Sequence, residues 1–150
     1  MARVALIVSK YHEFVTGGLE AGARAALRES GVPDDEIVTF TVPGAYELAQ
    51  AAQRLAESGS WDAVVCLGCL IRGETPHFDY IATAAADGIM RAAQATGVPI
   101  AFGVLTTNTA EEAMARAGDG PANKGRESAL AALEMARLYR SLPRRQGESS

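Results

Sequence analysis

The stretch WDAVVCLGCLIRGETPHFDY, residues 61–80, changes character at its midpoint. Residues 61–71 are a nearly continuous apolar run rich in β-formers, the pattern of a parallel strand covered on both faces. From Cys69 to Tyr80 the chain then gathers a thiol, a guanidinium, two carboxylates, a glycine, a proline and one of its two histidines. A buried strand that ends in so much polar chemistry is expected to leave the core where a ligand is met.

Working outward, the same alternation of strand and helix recurs. RVALIVS (3–9) is a second short apolar run, followed by a helical pattern over 13–30 with Val15, Leu19, Gly22 and Ala26 on one face and Gly31 at the stop. EIVTFTV (36–42) alternates like a strand and breaks at Pro43-Gly44. Leu48, Ala51, Ala52 and Leu55 mark a second helix that ends at Gly59. An alanine-rich helix is predicted over 79–95 with Gly97 after it, and VPIAFGVLT (98–106) is the fourth strand. Thr109 and Glu112 form a capping box for a short helix, and Asn123 caps a last helix over 123–142. The order β-α-β-α-β-α-β-α-α implies right-handed crossovers and a three-layer α/β/α domain around a four-stranded, parallel, doubly wound sheet. Residues 1–142 are read as that one domain, and 143–150 as a disordered tail.

Composition narrows the function. The chain of 150 residues is 48% hydrophobic and 21% charged with a net charge of −4, which suits a globular protein and not a general nucleic-acid binder. No signal peptide or membrane-length apolar segment stands out, so a cytoplasmic location is expected. Cys66 and Cys69 lie three apart within a period-two strand and are expected on opposite faces, with Cys66 in the core. No second cysteine pair, no cluster with metal-ligand spacing, no Walker A and no G-x-G-x-x-G is present, so no metal or nucleotide cofactor is expected.

In open parallel sheets, ligands bind beyond the carboxyl ends of the strands, near the point where strand order reverses. The segments there are SKYH, PGAYE, CLIRGETPH and FGVLTTN. His77 is the natural proton carrier, because imidazole titrates near neutrality. Glu74 and Asp79 are expected to hold its ring. Tyr11, Tyr46 and Phe102 either pack against neighbours or offer a flat face to a heterocycle. Glu47, in a first helical turn, either answers the helix dipole or bonds a polar ligand. Gly73-Glu74-Thr75 forms a glycine-bearing turn before a helix that offers backbone N–H groups to a small phosphate ester. Arg72, Arg116 and Lys124 are the cations nearest these ends, whereas Arg126 reads as a solvated surface charge.

Taken together, VPGAYE, LGCLIRGETPHFDY, GVPIAFGVLTT and ARAGDGPANKG resemble lumazine synthases from about Val4 to Leu142. The resemblance implies a flavodoxin-like fold and a transferase of riboflavin biosynthesis without cofactor. That enzyme condenses 5-amino-6-(D-ribitylamino)uracil with 3,4-dihydroxy-2-butanone 4-phosphate to give 6,7-dimethyl-8-ribityllumazine, phosphate and water. Carried over, the catalytic histidine falls on His77. The pyrimidine and ribityl contacts fall on Tyr11, Ala45, Tyr46, Glu47, Cys69, Leu70, Ile71 and Phe102. The butanone phosphate contacts fall on Glu74, Thr75, Arg116 and Lys124. Phe102, Arg116 and Lys124 match positions that reach in from a neighbouring subunit, which implies a homopentamer, alone or within a decamer or an icosahedral 60-mer, and a functional link to riboflavin synthase. Ser9-Lys10-Tyr11-His12 departs from the usual G-R-F-N: Tyr11 keeps the stacking face, and His12 adds a second titratable ring. Two other readings share the fold, a non-catalytic shell protein and a flavin binder.

Overall fold

The computed structural model describes residues 2–143. The tail expected over 143–150 therefore lies, apart from Pro143, outside the described residues. Four strands, β1 (Val4–Ser9), β2 (Ile37–Val42), β3 (Ala63–Ile71) and β4 (Ile100–Thr107), pair in parallel in the order β2-β1-β3-β4. The helices are α1 (Glu13–Glu29), α2 (Leu48–Glu57), α3 (His77–Thr96), α4 (Ala110–Ala115) and α5 (Lys124–Ser141). Helices α1, α4 and α5 cover one face of the sheet through Leu19, Leu27, Ala113 and Leu133. Helices α2 and α3 cover the other through Leu48, Ala52 and Ile89. The three-layer, flavodoxin-like arrangement read from the sequence is the one observed, and no helix among the described residues is long and apolar enough to cross a membrane.

Burial explains the strand sequences. Every residue of β1 is buried, as are Ala63 to Cys69 of β3, because both strands are interior and packed on both sides. Edge strand β2 is only partly buried, and its Thr39 faces α1, where it accepts from Arg24 at 2.9 Å while donating to Glu20 at 2.8 Å. Cys66 joins the α2/α3 core and Cys69 the α1/α5 core, on opposite faces as their spacing predicts.

Both predicted caps form. Thr109 Oγ1 accepts from the Glu112 N–H at 3.1 Å, and the Glu112 carboxylate accepts from the Thr109 N–H at 3.0 Å. Asn123 Oδ1 accepts from the Arg126 N–H at 3.0 Å. Its amide also donates to the carbonyls of Gly18 at 3.0 Å and Gly118 at 2.8 Å, tying the start of α5 to α1. Arg126 departs from the sequence reading. Its guanidinium takes both oxygens of Glu29 at 2.8 and 3.2 Å, so it clamps α5 to α1 and holds the Glu29 carboxyl below its usual range. At the amino-terminal edge of the sheet, the Arg3 guanidinium lies 4.4 Å from the Trp61 ring centre, and Phe40 meets that ring edge-on at 5.7 Å.

Helices α1 and α5 approach so closely that a Cβ at Gly125 would fall on the Leu19 carbonyl. That neighbour is backbone and cannot swing aside. Gly125→Ala is therefore expected to destabilise the chain by about 3 kcal/mol, read as a lower midpoint in urea unfolding.

Candidate active site

The chain leaves β1 for β2 on one side, and β3 then lies on the other side of β1. Connections diverge at this switch point, and beyond the carboxyl ends of β1 and β3 there is a cleft of about 690 Å³. Three segments build it. The first follows β1, where the Lys10 N–H donates to the Val42 carbonyl at 2.8 Å and the Tyr11 N–H to that of Pro43 at 3.2 Å. These bonds project Tyr11 into the opening with its ring largely exposed. His12 then adopts a left-handed backbone, φ 66°, and its ring stands edge-on to Tyr11 at 4.6 Å and to Phe14 at 5.8 Å. Burial against this wall lowers the His12 pKa and favours the neutral ring.

The second segment is the turn after β2. Residues Ala45–Glu47 form one 3-10 turn, and the Glu47 carboxylate accepts from the Gly44 N–H at 3.0 Å. Glu47 thus secures the turn that presents Tyr46 and itself to the cleft. The third segment runs from Cys69 through the end of β3 into α3. Cys69, Leu70 and Ile71 form the floor, and Gly73, Thr75 and His77 the far wall. Burial pushes the Cys69 thiol up to about 11 and the Cys66 thiol to about 12, so both are protonated and unreactive at neutral pH.

Helix α3 starts two residues earlier than the periodicity predicts, because Pro76 supplies a preset φ of −71° at its cap. His77 becomes the first helical residue, its N–H directed at Thr75 Oγ1 at 3.4 Å. The acids expected around it are placed differently. Asp79 pairs with Arg72 at 3.3 Å, and no hydrogen bond to the His77 ring occurs among the described residues. Arg72 also donates to Asn108 at 3.2 Å and lies 4.4 Å from the Phe78 ring centre, so it fastens the 72–76 loop to the end of β4.

The candidate residues divide between two places. Tyr11, Ala45, Tyr46, Glu47, Cys69, Leu70, Ile71, Thr75 and His77 line this cleft; Glu74 sits in the same loop without lining it. Phe102 and Lys124 instead line a second groove of about 310 Å³ along edge strand β4, between α3 and α5. Arg116, at the end of α4, connects to that groove through Glu127, which bonds both Arg116 and Lys124. His12 and Phe78 belong to the cleft although the resemblance assigns them nothing. Glu127 was not singled out in the sequence at all; its only signal is the i,i+3 spacing from Lys124.

Comparison with known proteins decides the family. Residues 1–140 match the family model for 6,7-dimethyl-8-ribityllumazine synthase. The chain belongs to the lumazine synthase family. The 6,7-dimethyl-8-ribityllumazine synthase of Chlorobium phaeovibrioides is 49% identical over 141 residues, covering 94% of this chain and 91% of that one. As a lumazine synthase the chain is a transferase of riboflavin biosynthesis, and membership implies small-molecule substrates and an oligomeric assembly.

The raised thiol pKa values give a direct check. Iodoacetamide at pH 7.5 is expected to leave Cys66 and Cys69 unmodified in the folded protein, and to label both once urea has unfolded it, as read by intact mass.

Proposed function

We propose that the cleft binds 5-amino-6-(D-ribitylamino)uracil, with Phe102 reaching that substrate from a neighbouring subunit, and that the same neighbour brings Arg116 and Lys124 to complete, with Glu74 and Thr75, the site for 3,4-dihydroxy-2-butanone 4-phosphate. The observation that supports this reading is the split just described. The groups suited to a flat, polyhydroxyl heterocycle line one cleft, while the cations suited to a phosphate ester stand near the β4 edge. A closed ring of subunits is the simplest way to bring one edge to the other. A pentamer, free or within a larger shell, is the assembly proposed, working in the cytoplasm and handing its product to riboflavin synthase.

In this mechanism Tyr11 stacks on the pyrimidine. The Glu47 carboxylate and the free N–H groups around Ala45 and Tyr46 bond the ring edge and ribityl chain. Backbone groups of Cys69, Leu70 and Ile71 form the floor, since the Cys69 side chain is a weak donor at best. The 5-amino group attacks the ketone, and loss of water gives an imine. Inorganic phosphate departs next, its charge held by Arg116 and Lys124 with the Glu74-Thr75 backbone. Loss of the C3 proton in that elimination leaves an enol that tautomerises to a C3 ketone; the ribitylamino nitrogen closes the ring on this new carbonyl, and a second water leaves. Each step moves a proton but transfers no electrons to a cofactor. His77 carries these protons, and its ring, with no hydrogen-bond partner among the described residues, can serve more than one atom along the path. Much of the acceleration comes from holding two reactants together.

Three measurements test this reading. His77→Ala is expected to lower kcat at least about tenfold while KM for either substrate changes little; full activity would remove His77 from catalysis. Tyr11→Ala is expected to raise KM for the pyrimidine by about tenfold and leave KM for the butanone phosphate nearly unchanged. Specific activity should fall on dilution as the assembly dissociates, followed by mass photometry. A fully active monomer would contradict the shared site, and a yellow protein that forms no lumazine from the two substrates would favour a flavin binder.

A further inference from the structure

Glu127 has no part in the mechanism above, yet its carboxylate stands between the two cations assigned to the phosphate ester. One oxygen is 3.3 Å from Nη2 of Arg116 and the other 3.4 Å from Nζ of Lys124. The cations do not need this bridge to stay near each other. The Lys124 N–H donates to the Arg116 carbonyl at 2.8 Å, and Arg116 Nε donates to the Ala122 carbonyl at 3.0 Å. What the carboxylate changes is charge: two cations and one anion leave a single net positive charge. It also faces the right space, since Glu127 lines the β4-edge groove together with Phe102 and Lys124.

We propose that Glu127 is an internal stand-in for the phosphate group, occupying Arg116 and Lys124 until the ester displaces it and taking them back when inorganic phosphate leaves. The inference rests on the reading of those two cations as the ester's clamp. A phosphate dianion offers three strong acceptors and more charge than one carboxylate, so it wins the guanidinium and ammonium, but only against a competitor that is always present. The competitor lowers affinity for ester and released phosphate alike. That keeps the product from lingering on a doubly cationic site. A purely structural Glu127, placed in the first turn of α5 to answer the helix dipole, would change stability slightly and leave phosphate affinity alone.

Inorganic phosphate titrated calorimetrically into the intact assembled protein separates these cases. Glu127→Gln is expected to bind phosphate about five- to tenfold more tightly than the wild type. Phosphate should inhibit its condensation reaction more strongly by a similar factor, with KM for the pyrimidine unchanged. A second neutral variant, Glu127→Ala, has to move the affinity the same way. Unchanged or weakened binding in either variant overturns the proposal. Arg116→Gln distinguishes the two levels of failure. If it leaves phosphate affinity untouched, the clamp itself is misassigned. If it weakens binding while the Glu127 variants change nothing, only the stand-in role falls.

Discussion

Burying a parallel sheet on both faces is the constraint from which the site follows. Along β1 and through most of β3 every side chain is needed for the two cores, so neither strand has room for polar chemistry until it ends. The reversal of strand order between β1 and β3 then sends their connections to opposite sides and opens a gap at those ends. The candidate groups crowd residues 9–12, 43–47 and 69–77 because those are the places where the chain is both anchored by the sheet and released from it.

Hydrogen bonds donated by backbone N–H groups, together with the Arg72 side chain, fix these segments. Tyr11 is held through its N–H on Pro43, the 72–76 loop through the Arg72 N–H on Thr107 at 2.8 Å, and the turn after β2 through Gly44 and Glu47. Candidate side chains can then stay comparatively free, as the His77 ring does, which has no hydrogen-bond partner among the described residues. The opposite strategy governs the cationic corner. There Arg116 and Lys124 are both engaged with the Glu127 carboxylate, so the two proposed halves of the site differ in kind.

Much of this was legible in the sequence. Continuous apolar runs at 3–9 and 61–71 marked strands covered on both faces, and alternation at 36–42 marked a further strand, because each pattern records how a strand is buried. T-x-x-E at Thr109 and the capping Asn123 were readable for the same reason: their chemistry is local. What escaped depended on pairings that only the folded chain makes. Asp79 looked like a partner for His77 until the fold brought Arg72 beside it, and Arg126 looked solvated until Glu29, on another helix, met it. The early start of α3 was missed because a proline cap leaves no apolar period to read.

Trp61, the single tryptophan of the chain, stands at the amino-terminal edge of the sheet against Arg3 and Phe40. A strand of this length carries it roughly 30 Å from the far end of β3, where the cleft lies. Its emission is thus an optical gauge of whether β1, β2 and β3 are assembled, quenched or shifted as that corner opens. Occupancy at the opposite rim would register only through resonance transfer to a bound, light-absorbing pteridine, which makes one native fluorophore serve two separable signals.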